Sequence, residues 1–154
     1  MKKVILLLCL MPVLAFSQIY QVRPGDVVIS EIMADPLPSV LLPDQEYLEI
    51  FNRSDRIISL VGWKLISGDN KTSLFPLSDI GTGEYAILCS IADTGLFSGY
   101  GKVIGLKSFP TLTDGGKSLI LADNEGMMVH FVEYSSEWYG DDLRSGGGWS
   151  LEMI

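Results

Sequence analysis

The sequence beyond about residue 26 predicts an all-β fold, an antiparallel β-sandwich of about nine strands, and three observations carry that prediction. Short apolar runs recur about every 8 to 15 residues, the spacing of strands in a sandwich or barrel. The segments between them are rich in Gly, Pro, Asp and Asn, which supply turn geometry. No stretch past the N-terminal apolar run sustains a 3.6-residue apolar period, so helix should be scarce. About nine or ten short strands need two packed sheets, because one flat sheet would leave an apolar face in water. An immunoglobulin-like sandwich fits this pattern best.

The chain opens with Lys2 and Lys3, an apolar run from Val4 to Phe16, and Ala15 and Ser17 at the −3 and −1 positions of a cleavage site. Residues 1–17 therefore read as a secretory signal peptide, cut between Ser17 and Gln18. The run of 13 residues contains Pro12, whereas a membrane span needs roughly 20. Cys9 follows three leucines but lacks the small residues that a lipidation signal places before its cysteine. Residues 18–25 form a short lead, and 26–154 form one domain. The chain stops at Ile154, directly after the last predicted strand, an end that fits a complete one-domain protein and a fragment of a longer parent equally.

Strands are expected at 27–33, 46–52, 62–66, 72–75, 85–90, 103–106, 118–122, 127–134 and 149–153, with a short edge strand within 56–60. Asp123-Asn124-Glu125-Gly126 supplies a hairpin turn between two of them. Alternation groups Leu48 with Ile50 against Tyr47, Glu49 and Phe51, and Trp63 with Leu65 against Lys64. It also groups Leu119 with Leu121, and Met128, His130, Val132 and Tyr134 with one another. Both faces of 46–52 and of 127–134 are partly apolar, so alternation alone does not choose the inward face.

Several segments, in their order and spacing, carry a resemblance. Val28-Ile29-Ser30-Glu31-Ile32-Met33-Ala34-Asp35-Pro36 comes first, then Glu46-Tyr47-Leu48-Glu49-Ile50-Phe51-Asn52. Leu60-Val61-Gly62-Trp63, Phe109-Pro110, Leu119 to Asp123, Trp138-Tyr139 and Gly147-Gly148-Trp149-Ser150-Leu151-Glu152 follow. Together they resemble the lamin-tail domain in its secreted bacterial form, over nearly the whole chain from Val27. The resemblance implies an immunoglobulin-like sandwich that acts as an accessory or interaction module, often one unit of a larger exported protein. The sequence shows neither a coiled-coil rod nor a nuclear address, so the nuclear role of lamins does not carry over.

Charge and residue chemistry narrow the function. Removal of the signal peptide takes Lys2 and Lys3 and moves the formal charge from −8 to −10, which argues against nucleic acid as a partner. Cys89 becomes the one cysteine, in an apolar strand, and reads as a core residue and not as an activated thiol. His130 is the only histidine, so a zinc site built on several imidazoles is excluded and a Ser-His-Asp arrangement would have to centre on it. Paired carboxylates of glycosidase type have no support from the resemblance.

Three groups of residues stand out as binding candidates. Glu31, Asp35, Asp44, Glu46 and Glu49 lie near two strand ends and would supply hard oxygens to Ca²⁺ if those ends met; solvated acids are the plainer reading. Leu37, Val40, Leu41 and Leu42 sit in a proline-rich loop, 36–43, that either seals one end of the sandwich or offers a protein-binding patch. Trp138 and Tyr139, with Asp141 and Asp142, either pack a corner or stack on sugar rings. The overall expectation is an exported, non-catalytic structural or adhesive module at the cell envelope or surface. Its partners would be neighbouring domains or envelope proteins, acting through a sandwich face, a loop end or an exposed strand edge. A calcium- or carbohydrate-binding module is the alternative, and a hydrolase a distant third.

Overall fold

Eleven strands occur among the described residues, 21–68 and 71–153 of a computed structural model. The predicted signal peptide, residues 18–20 of the lead and Ile154 lie outside the described residues. In chain order the strands are β1 (Val27–Met33), β2 (Tyr47–Asn52), β3 (Ile58–Ser59), β4 (Lys64–Ser67), β5 (Thr72–Leu74) and β6 (Asp79–Ile80). Then come β7 (Tyr85–Ser90), β8 (Lys102–Leu106), β9 (Gly116–Ala122), β10 (Met128–Ser135) and β11 (Leu151–Glu152). β6 has two residues, too few for alternation to show. Among the described residues helix is confined to α1 (Thr94–Phe97) and a 3-10 turn at Ser136–Tyr139.

The strands form an immunoglobulin-like sandwich. A five-stranded sheet in the order β11-β1-β2-β7-β8 faces a four-stranded sheet in the order β10-β9-β4-β5, and β3 and β6 make a separate ribbon. Every pairing is antiparallel except β7 with β8, which run parallel from Ala86 opposite Lys102 to Ser90 opposite Leu106. A parallel neighbour needs a crossover instead of a hairpin, and residues 91–101, including α1, supply it. The crossover lies directly on β8: a Cβ at Gly105 would sit 2.6 Å from the Thr94 methyl and 2.9 Å from Ile91 Cα.

Two bulges set which side chains enter the core between the sheets. Pairing of β1 with β2 shifts between Ile29 and Glu31, so Ile29 and Ile32, three apart, both join the core with Leu48, Ile50, Trp63, Leu65, Leu119 and Leu121. A second shift, between Met128 and His130, decides the face of β10 that alternation leaves open and splits the set Met128, His130, Val132 and Tyr134. Val129 is buried and Met128 is 55% exposed, while Tyr134 joins the core and Val132 packs against it. The lead also contributes: Val22 packs on the core and the Gly25 amide donates to the Val129 carbonyl at 2.7 Å.

The five-stranded sheet is covered on its outer face too. Met33, Tyr47, Ile87, Cys89 and Phe97 form a second apolar cluster there, with the Tyr47 and Phe97 rings edge to face at 5.3 Å. This resolves the double-sided apolar pattern of β2: Leu48 and Ile50 face the partner sheet, and Tyr47 faces α1. Cys89 is wholly buried and burial pushes its thiol up to about 11, the state of an inert core thiol.

One polar side chain is as buried as any of these. Asn52, at the end of β2, has no exposed surface. Its Nδ2 donates to the carbonyls of Arg56 at 2.7 Å, Ile80 at 3.0 Å and Gly81 at 2.9 Å. Its Oδ1 accepts from the Ser54 amide at 2.9 Å and the Ser54 hydroxyl at 2.7 Å. Burying an amide without partners would cost roughly 2 to 7 kcal/mol; here its partners tie β2 to the β3–β6 ribbon. Asp123 plays a smaller version of this part. It accepts from the Glu125 and Met127 amides at 2.9 and 2.8 Å and closes the β9–β10 hairpin.

Candidate functional site

The five acidic candidates fall in three places. Glu31 on β1 lies opposite Glu49 of β2 and Glu152 of β11, so three carboxylates line up across adjacent strands. Glu31 Oε1 accepts from the Tyr47 hydroxyl at 2.5 Å, and Glu49 Oε1 accepts from the Ser30 hydroxyl at 2.8 Å. The Glu49 carboxyl titrates above its usual range. Burial is the main cause, the Ser30 hydrogen bond opposes it, and the charges of Glu31 and Glu152 add to it. Asp35 turns the other way and accepts from the Leu37 amide at 3.3 Å, ordering the turn through Pro36. Asp44 and Glu46 line a cleft of about 320 Å³ with Asp93, and Glu46 Oε2 accepts from the Leu112 amide at 2.8 Å. Among the described residues no three His, Cys, Asp or Glu side chains come together as a metal-holding group.

The apolar loop divides its side chains. Leu42 packs on the outer cluster beside α1, whereas Leu37 and Val40 are exposed and Leu41 is 94% exposed. Leu42 is thus the one of the four that anchors the loop, on the outer cluster and not on the core between the sheets. Leu41 has φ +68, a left-handed conformation that costs a non-glycine residue about 1 to 2 kcal/mol. Backbone contacts hold the loop in place. The Tyr100 hydroxyl donates to the Leu41 carbonyl at 3.3 Å, the Ser39 hydroxyl donates to the Leu42 carbonyl at 2.5 Å, and the Gly148 amide donates to the Asp35 carbonyl at 2.8 Å. Gly147 and Gly148 have φ +96 and +77. A Cβ on either would overlap the carbonyl oxygen of Leu37 or Pro38, so the glycine pair lies against the loop backbone with no room for a side chain.

The same glycine pair leads into an aromatic cleft of about 700 Å³ at the adjoining corner. Trp138, on the 3-10 turn, is 57% exposed and Trp149 is 41% exposed. Tyr139 is buried beneath them and its hydroxyl donates to the Trp149 carbonyl at 3.0 Å. Trp138 and Tyr139, adjacent in sequence, thus have opposite roles. The Arg144 guanidinium stands 5.9 Å from the centre of the Trp149 ring, and Ser150 and Glu152 complete the lining. Trp149 lies outside β11, so alternation, which assigns it to a strand, missed its place in the cleft. Its position right after a three-glycine run was the available signal.

His130 is half-buried and its Nδ1 accepts from the Ile29 amide at 3.1 Å. That hydrogen bond needs the neutral ring, with the proton on Nε2. The ring is thus occupied with holding β1 beside β10. Burial, reinforced by the positive charge of Arg53, pushes its pKa below the ordinary value.

The lamin tail domain family model matches residues 21–136, from the lead through the end of β10 and into the 3-10 turn. This chain belongs to the lamin tail domain family. The family comprises non-enzymatic, immunoglobulin-like domains that act as protein-interaction modules. No curated protein matches the chain. No helix among the described residues is long and apolar enough to cross a membrane.

Two predictions follow from this geometry. Gly147→Ala and Gly148→Ala should each destabilise the domain by about 2 kcal/mol or more, as strained positive-φ sites do. Gly146→Ala, where a Cβ meets only ordinary contacts at 3.4 Å and beyond, should stay within about 0.5 kcal/mol in the same urea titration. Equal effects at all three positions would contradict the close packing of loop and glycines. For His130 the folded pKa lies below the unfolded value of about 6.5. Its contribution is therefore complete above that pH and is lost as pH falls through the folded pKa. Wild type should lose stability relative to His130→Asn between pH 7.5 and pH 5, and parallel melting curves for the two proteins would refute this. The difference cancels Glu46 and Glu49, whose raised pKa values act in the opposite direction.

Proposed function

We propose that this chain is an exported, non-catalytic interaction module of a bacterial cell envelope or surface. It docks on a neighbouring domain or envelope protein through the loop at 36–43. The observation that carries the reading is the loop itself. Leu37, Val40 and Leu41 stand in solvent on a backbone held by hydrogen bonds from Tyr100, Ser39 and Gly148, so apolar surface is presented with little ordering left to occur on binding. Family membership supports an interaction role. The signal-like segment ending at Ser17 supports export, and the acidic charge of the chain argues against nucleic acid as partner.

A photo-crosslinking amino acid at Leu41, introduced in the producing cell, tests the reading. It should give one discrete protein adduct from the exported fraction, with the module's N-terminus at Gln18. The same probe at Ile57, 70% exposed on another loop, should give none. No adduct at Leu41, or identical adducts at both sites, would reject the docking role, and a chain that keeps Met1 and stays inside the cell would reject export.

A further inference from the structure

A second surface, independent of the apolar loop, has the form of a ligand site. Two tryptophans share one cleft while the third, Trp63, is buried in the core. Exposing two large indoles at one corner forgoes burial that a sandwich would ordinarily use. Their setting is also fixed in advance. Tyr139 holds the Trp149 carbonyl, the Gly148 amide holds the strand-leading segment to Asp35, and Arg144 covers Trp149, which leaves Trp138 as the open stacking face.

The polar groups in the lining define the ligand further. Arg144 supplies donors, Glu152 acceptors and Ser150 a hydroxyl that does both. The lining holds one cation and one carboxylate, Arg144 and Glu152, and the Arg144 Nε is itself 3.6 Å from Asp141 Oδ2 at the rim, which leaves its other nitrogens for a ligand. Glu137, Asp141 and Asp142 are exposed just outside the lining and would repel sulfated or uronic chains. Trp138, Leu151 and Glu152 also border an adjoining, mainly apolar recess of about 230 Å³, where Ile32, Phe131 and Val132 supply the apolar wall and Ser30 and His130 its polar groups. A peptide strand is the poorer fit: β11 offers only two residues of sheet edge, and the β10 edge is already met by the lead and β1, where the Gly25 amide donates to the Val129 carbonyl and the Ile29 amide to the His130 ring.

We propose that this cleft binds a neutral oligosaccharide bearing acetamido groups. A pyranose ring stacks its C–H face on Trp138, its hydroxyls meet Arg144, Ser150 and Glu152, and an acetamido methyl enters the recess beside Trp138.

The test is calorimetric titration of the chain beginning at Gln18, which contains all the strands and both apolar clusters, with chitotetraose and with cellotetraose. Chitotetraose should bind with Kd below about 1 mM, a range ordinary for a shallow site, and cellotetraose at least about tenfold more weakly. Trp138→Ala should weaken chitotetraose binding by about three- to tenfold, the stacking contribution of one aromatic pair. Glu152→Ala, on an exposed strand end, provides a second variant that should weaken it as well. A urea midpoint unchanged from wild type in each variant would show that the fold persists. The proposal is overturned if chitotetraose does not saturate, if the two sugars bind equally, or if both variants bind like wild type. Binding of octalysine in place of chitotetraose would also overturn it, by assigning the cleft to a basic protein partner.

Discussion

The amide of Asn52 is the constraint on which the sandwich depends. β2 is the middle strand of the five-stranded sheet with apolar residues on both faces, so a one-residue slip would exchange two partly apolar faces and alternation alone opposes it weakly. Asn52 fixes it with three donated and two accepted hydrogen bonds that reach the turn after β2, β6 and the turn before β7. Its own backbone adds to the knot, because the Asn52 amide donates to the Glu84 carbonyl and its carbonyl accepts from Gly83. A low-dielectric site makes such a network strong when complete and costly when broken. With β2 held, Leu48 and Ile50 must face the partner sheet and Tyr47 must face α1.

From that fixed strand the architecture leads to two presenting surfaces. The second apolar cluster anchors Leu42 and so brings the rest of the 36–43 loop to the end of the sandwich. The Gly147-Gly148 backbone presses on that loop from the other side and then turns into Trp149. One pair of glycines thus joins an apolar protein-facing loop to an aromatic, polar cleft. Substitution there should disturb both surfaces together, whereas a change at Trp138 or Leu41 should disturb only one.

Much of this was legible in the sequence, and the gaps have physical causes. β1 and β7 have the expected bounds because alternation and flanking turn residues agree there, and Asp123 has the turn role its neighbours suggested. The face of β10 was not legible, since a bulge changes the inward set without any composition signal at Met128 or Val129. The parallel β7–β8 pair was also hidden: a crossover of eleven residues reads like a loop, and Gly105 shows its purpose only once Thr94 lies against it. At the sites, the grouping of Glu31 with Glu49 followed from strand pairing. Asp35, Asp44 and Glu46 separated because proximity at a strand end does not specify direction. Trp149 was hidden by its alternation with Leu151 and Met153, which made a strand the simpler reading.

The most direct measurement is urea unfolding of the chain beginning at Gln18 with Asn52 replaced by Ala and, separately, by Asp. Alanine removes every side-chain bond and takes one donor each from the Arg56, Ile80 and Gly81 carbonyls, of which Gly81 keeps the Glu84 amide. Aspartate keeps the acceptor for Ser54 but faces the three carbonyls with an anion. The constraint predicts a loss of about 3 kcal/mol for Asn52→Ala and at least as much for Asn52→Asp. A loss under about 0.5 kcal/mol for both would show that β2 is held by apolar packing alone and would contradict the central place given to Asn52.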